Sequence, residues 1–210
     1  MKVSINLNTL KAVAHAVSKE ETRYYLQGVQ LEAGKDGFTM VATNGHMLLC
    51  AFQPYGEHMP QDHMASVIIP ASLIAKLKVK RKADPWAELT IDGLDLSFEY
   101  RGETFGGKAI EASYPAWRNV VPRETSGELA QFNPEILATI QAAACVFFDD
   151  KDKLINVQHN GGSPALVKFA YCDNERFFGV AMPFRAAKEL PDHSWCYDAS
   201  PIVPNAIAAE

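Results

Sequence analysis

The chain has 210 residues, enough for one large domain or two small ones with a real buried core. At 48% hydrophobic and 21% charged residues it has the balance of an ordinary globular protein, and its longest apolar runs (67–69 and 145–148) are far too short to cross a bilayer. A formal charge of −5 excludes a protein that coats nucleic acid with its whole surface, since phosphate binding needs positive potential, but it leaves room for one basic face.

The opening Met1-Lys2-Val3-Ser4-Ile5 turns polar at once, the pattern of a chain without a secretory signal. Cys50, Cys145, Cys172 and Cys196 lie far apart with no Cys-x-x-Cys pair. That spacing favours reduced thiols over a disulfide frame or a thiolate zinc site. The expectation is a cytoplasmic protein that does not enter a membrane.

Taken in chain order, the elements repeat. Val3, Ile5 and Leu7 alternate as a strand over residues 2–7. Asn8 is the expected cap of a helix reaching about residue 20, with Leu10, Val13, Ala14 and Val17 on one buried stripe. Strands follow at 28–32, 38–43 and 47–52, separated by turns around Gly34-Lys35-Asp36-Gly37 and Asn44-Gly45-His46. The order strand, helix, three strands then returns. Residues 65–69 read as a strand, and Pro70 opens a helix carrying Leu73, Ile74 and Leu77 inward. Strands at 87–91, 94–100 and 104–109 close this second unit.

A linker at 114–125 with two prolines precedes a third unit. It comprises a strand at 128–132, a helix capped by Asn133 with Pro134 at its first position, and strands at 154–158, 165–171 and 176–182. Ile136, Leu137, Ile140 and Phe147 form its expected buried stripe, and an irregular tail follows residue 185. The chain therefore reads as α+β, with repeated β-α-β-β-β units whose helices lie on one face of antiparallel sheets. Residues 1–122 form a domain of two units, 123–185 a third unit and 186–210 a tail. Two units can share a core about a pseudo-two-fold axis. A third is left without a partner in the chain, which predicts association with another copy.

Lys11, His15 and Lys19 stand four apart on the helix face opposite the first stripe. Lys76, Lys78, Lys80, Arg81 and Lys82 make the densest basic cluster, and Arg23-Tyr24-Tyr25 joins a cation to two aromatics. Such groups hold a duplex by its phosphates and sugars without reading sequence, although a lysine run equally suits a solvated helix end. His58, Asp62 and His63 are the only tight cluster of metal-ligand types, short of the three or four converging ligands of a zinc site, and a metal-dependent hydrolase on His58 and His63 is a remote alternative. Nucleophile-elbow, phosphate-loop and dinucleotide motifs are absent, so no catalytic residue is expected.

At Thr22-Arg23-Tyr24-Tyr25-Leu26-Gln27-Gly28, Val41-Ala42-Thr43-Asn44-Gly45-His46-Met47-Leu48, Tyr114-Pro115-Ala116-Trp117-Arg118-Asn119-Val120-Val121-Pro122 and Val180-Ala181-Met182-Pro183-Phe184-Arg185, the chain resembles the bacterial DNA sliding clamp, the beta subunit of DNA polymerase III. The first two motifs match the family's middle domain. The resemblance implies a non-enzymatic processivity factor without cofactor, one that encircles duplex DNA with its helices lining the hole and docks the peptide motifs of polymerase and clamp loader. The family's peptide pocket would fall on Leu26, Thr43, Gly45, His46, Met47, Leu48, Pro115, Asn119, Val120, Val180, Met182, Pro183 and Phe184. Two basic positions of the family's motifs are Met47 and Asn119 here. A family chain carries six units and this one three, so keeping a twelve-unit ring implies a homotetramer. The alternative is a clamp-like adaptor or decoy that binds the same peptides without encircling DNA.

Overall fold

The computed structural model describes residues 1–55, 66–79, 84–170 and 176–185. The first unit is β1 (Lys2–Asn6), α1 (Leu7–Ala14), β2 (Gly28–Ala33), β3 (Gly37–Thr43) and β4 (Met47–Pro54). The second is β5 (Ser66–Pro70), α2 (Ala71–Ile74), β6 (Trp86–Asp92), β7 (Asp95–Tyr100) and β8 (Glu103–Lys108). The third contributes α3 (Pro134–Phe147), β9 (Ile155–Gln158), β10 (Ala165–Phe169) and β11 (Phe177–Ala181).

The first two units exchange their leading strands. β1 pairs with β6 in register Lys2↔Thr90 to Asn6↔Trp86, and β5 pairs with β2 from Gly28↔Pro70 to Glu32↔Ser66. The exchange locks the two units into one domain, because neither sheet is complete without a strand from the other. All pairings are antiparallel, in a four-stranded sheet β1-β6-β7-β8 and a seven-stranded sheet β5-β2-β3-β4-β11-β10-β9. Alternation along the strands sends Val3 and Ile5, Val29 and Leu31, and Leu89 and Ile91 into one apolar core, with Leu7, Leu10, Val13, Leu73, Ile74 and Leu77 from the helical segments. Each such side chain fully removed from water contributes about 1.5–3 kcal/mol.

The third unit is joined to the first through their sheets. Its closing strand β11 pairs with β4 over five residues, Phe177↔Ala51 to Ala181↔Met47, and α3 packs along α1 on the same face of the sheet. Gly179 permits this packing, since a Cβ there would lie 3.1 Å from Ile140 Cγ2 on α3. The outer edges of β9, which ends the seven-stranded sheet, and of β8, which ends the four-stranded one, are paired by no described strand.

Several expected boundaries move. Asn6, not Asn8, caps α1, its Oδ1 accepting the N–H groups of Asn8 and Thr9. The helix ends at Ala14 rather than near residue 20, because the following turns tighten to three-residue hydrogen bonds from His15, Ala16 and Val17. Lys19 therefore lies beyond the helix, and the face expected for Lys11, His15 and Lys19 is not a continuous helical one. α2 is a single turn, although Leu73, Ile74 and Leu77 are buried as expected. Residues 128–132 form only an isolated bridge, Gln131↔Phe184, for want of a neighbouring sheet. On α3, Ile140 is fully buried, while Ile136, Leu137 and Phe147 are half-buried. The tail expected at 186–210 lies outside the described residues. No described helix is long and apolar enough to cross a membrane.

Candidate peptide-binding groove and basic surface

The loop between β3 and β4 is held rigidly by its own side chains. Asn44 Oδ1 accepts the N–H groups of His46 and Met47, Thr43 Oγ1 accepts that of Gly45, and the Thr43 hydroxyl donates to the Met47 carbonyl at 2.7 Å. Gly45 has φ +89°, a left-handed conformation glycine adopts freely. Pairing of β11 with β4 then carries the third unit's end up to this loop. The Met182 N–H donates to the His46 carbonyl at 2.9 Å, and the Phe184 N–H to Gln131 at 3.0 Å. Between them lies a groove of about 410 Å³ lined by Asn44, His46, Met47, Ile136, Met182 and Phe184, among others. Met182 and Phe184 are 37% and 50% exposed, so apolar surface stands in solvent beside the polar loop.

A second apolar cluster sits on the opposite face of the sheet. Val41, Leu48, Cys50 and Val180 pack there with Trp117, and Tyr114, Val121, Leu166 and Phe178 lean against them. The Tyr114 hydroxyl accepts the Thr43 N–H at 3.1 Å, pinning the linker onto β3. The Trp117 ring N–H donates to Glu32 Oε1, Arg118 reaches Glu32 Oε2 at 2.6 Å, and the guanidinium lies 4.2 Å from the Trp117 ring. Burial pushes the Cys50 thiol up to about 12, with Arg118 opposing and Glu32 adding to the shift. It also holds the Tyr114 hydroxyl well above the usual tyrosine range, against a hydrogen bond to Thr43 that lowers it.

The residues expected in the pocket are thus divided by strand alternation. Met47 belongs to the main core and Leu48 to the cluster under Trp117. Leu48 and Val180 are nearly inaccessible there, and Leu26 is also buried. Thr43 and Pro183 are half-buried, whereas Gly45, His46, Pro115, Asn119, Val120, Met182 and Phe184 are exposed. Trp117 and Arg118, although within the linker motif, and Glu32 were not among the residues expected to form the pocket. An aromatic beside a cation in the linker was the only hint in the sequence, since Glu32 is brought in by the sheet.

The basic residues are dispersed. Lys11 is half-buried and its pKa is lowered by burial, whereas Lys19, Lys76 and Lys78 are exposed, as is His15 at the end of α1. Arg23 pairs with Glu20 at 3.1 Å and donates to the Asn44 carbonyl at 3.5 Å, so it braces the groove loop. Tyr24 is 55% exposed, and Tyr25 is half-buried with its ring edge-on to Tyr24. Lys80, Arg81 and Lys82 lie outside the described residues, as do His58, Asp62 and His63. Among the described residues no group of three or more His, Cys, Asp or Glu side chains could hold a metal.

The family model described as the DNA polymerase III beta subunit, central domain, matches residues 3–116. A beta sliding clamp of Halalkalibacterium halodurans is 24% identical over 153 residues, 72% of this chain and 40% of the relative. One from Caulobacter vibrioides is 29% identical over 136 residues, 62% of this chain and 36% of the relative. The chain thus aligns with about two fifths of the length of these curated relatives. In structure, the Bacillus subtilis sliding clamp superimposes with a TM-score of 0.69 at 16% identity, covering 89% of this chain and 65% of that one. A Pseudomonas aeruginosa clamp gives 0.69 at 19% identity, covering 89% and 66%. With the central-domain pattern running through more than half of its residues, the chain belongs to the DNA polymerase III beta subunit family.

Proposed function

We propose that the chain is a subunit of a DNA sliding clamp, a non-enzymatic processivity factor that encircles duplex DNA without reading sequence and docks replication proteins through a peptide groove. The observation carrying this reading is the β4–β11 junction. It joins β2–β4 of the first unit and β9–β11 of the third, with β5 of the second at the far edge, into one seven-stranded sheet with α1 and α3 side by side on a single face, the arrangement needed to line a hole with helices. Four such chains supply twelve units, and each would add Lys76, Lys78 and Lys19, with Lys80, Arg81 and Lys82, to the phosphate-facing surface. Lys11, His15, Arg23, Tyr24 and Tyr25 belong to the same proposed surface. The partner groove is assigned to His46, Met47, Met182, Pro183 and Phe184, bordered by Thr43 and Gly45. Leu48 and Val180 face the other side of the sheet, under Trp117, where Pro115, Asn119 and Val120 of the linker border them, and Leu26 is buried. Apolar walls with a few polar groups suit a short peptide.

One feature favours the adaptor reading: α3 carries no basic residue, and Glu135 is its only charged side chain. Retention on DNA separates the two. A ring stays on linear duplex whose ends are blocked and slides off when they are freed. A chain that binds a clamp-motif peptide tightly but is retained on neither substrate is an adaptor, and that result overturns the clamp.

A further inference from the structure

We infer that two copies of this chain complete one domain by exchanging residues 129–133, each segment pairing with the open edge of β9 in the other copy. The inference rests on the chain's internal repeat and not on DNA binding. Aligning the helix caps Asn6, Pro70 and Asn133 places residues 129–133 in the position of β1 and β5. Aligning the inward residues places 154–158 in the position of 28–32 and 86–90, since Ile155 and Val157 then match Val29 and Leu31, and Ala87 and Leu89.

In the first domain these two positions pair reciprocally, Asn6 with Trp86 and Pro70 with Gly28. The third unit holds both halves of that arrangement, a donor segment and an acceptor edge, and two identical units related by a two-fold axis satisfy each other as the first two units do. The register follows: Phe132 with Ile155, Gln131 with Asn156 and Ala130 with Val157 of the second copy.

Backbone direction agrees. The Ala170 N–H donates to the Leu154 carbonyl, so Leu154 and Asn156 bond toward β10 while the N–H and C=O groups of Ile155 and Val157 point to the open edge. In the template the same alternation holds, Met1 and Ile91 exchanging both bonds across β1 and β6.

Burial points the same way. Val3, Ile5, Leu10, Val29, Leu31, Ile74, Ala87 and Leu89 are all buried in the first domain, yet their equivalents Ala130, Phe132, Leu137, Ile155 and Val157 are only half-buried. The third unit's apolar core is open on the side where a second unit covers the first. One bond must be exchanged: the Ala130 N–H now donates to His159 Nδ1 at 3.1 Å and would donate instead to the carbonyl of Val157 in the second copy.

The experiment combines light scattering with cross-linking. At tens of micromolar the wild-type chain is expected at two or four times its 23.1 kDa mass. Gln131 and Asn156 would face each other as a non-hydrogen-bonded pair, with Cβ atoms about 4.5–5.5 Å apart. A Gln131→Cys/Asn156→Cys variant should therefore form a reducible covalent dimer on mild oxidation. The oxidised wild type and either single variant alone provide the baseline. Val157→Pro, which takes from the backbone hydrogen bonding only an outward N–H of an edge strand and keeps an apolar side chain, should shift the assembly to half its mass with an unchanged circular dichroism spectrum. A monomeric wild type overturns the inference, and so does an oligomer in which the double variant gives no more covalent dimer than the baseline. Loss of DNA retention with the covalent dimer intact would overturn only the clamp reading.

Discussion

The backbone N–H of Met182 donates to the His46 carbonyl, so the end of the third unit is bonded to the loop that opens β4 of the first. Two segments more than a hundred residues apart thereby form the two sides of one groove, and the β4–β11 pairing is what brings the sides together. Truncating Met182 and Phe184 together to alanine removes its exposed apolar wall. Affinity for a fluorescent clamp-motif peptide should fall by at least about 30-fold, corresponding to a hot-spot loss of about 2 kcal/mol, with the oligomer size unchanged. Unaltered peptide binding would place the docking site elsewhere.

The exchange of leading strands requires glycine at position 28. A Cβ there would sit 2.6 Å from the Ile69 carbonyl oxygen, which belongs to backbone and cannot rotate away. Gly28→Ala should destabilise the domain by about 1–3 kcal/mol through forced separation of β2 from β5, read as a lower urea midpoint. On the other side of the junction, Ile140→Ala leaves a cavity beneath Gly179 and should cost about 2–5 kcal/mol. A change in midpoint confined to Gly28→Ala would mean that the third unit unfolds independently of the first domain.

Stability should decline in alkali. The Cys50 thiol is raised to about 12 by burial, so between its ordinary value of 9.0 and that point the folded chain keeps a proton the unfolded chain has lost. Unfolding free energy then falls as pH rises, by at most about 1.4 kcal/mol per pH unit for one group. Tyr114 is shifted in the same direction and extends the loss above pH 10. Thermal midpoints measured from pH 8 to 11 should drop less in Cys50→Ala than in wild type. Equal slopes would rule out Cys50 as the source.

Binding through phosphates predicts a salt signature. Neutralising Lys76, Lys80 and Arg81 should weaken DNA retention at low salt and reduce the slope of log affinity against log salt by about one for each phosphate no longer neutralised. A slope indifferent to these changes would leave the lysines as solubilising surface.

Much of the fold was legible in the sequence. Apolar alternation located all eleven described strands to within a few residues, since a half-buried strand must alternate whatever it pairs with. The motifs at 22–28 and 41–48 that carry the family resemblance lie inside the segment the central-domain pattern matches. Helix lengths were less legible. The stripe Leu10, Val13, Ala14 and Val17 continues past Ala14 in the sequence, but the chain tightens there so that Ser18 can donate to the Leu26 carbonyl.

For the site, residue identity and residue direction separated. Resemblance nominated Met47 and Leu48 together, but neighbours along a strand face opposite sides of the sheet, so one face received Leu48, with Val180 across from it, and the other Met47. The bracing of Trp117 and Arg118 by Glu32 joins residues more than eighty positions apart, a distance at which local pattern carries no information. Periodicity, turn chemistry and family membership were therefore set by the sequence, because each depends on neighbours within a few residues. Which strands met, which units shared a core and which edges were left open were decided only in the tertiary structure, because pairing depends on competition among all the edges the chain offers at once.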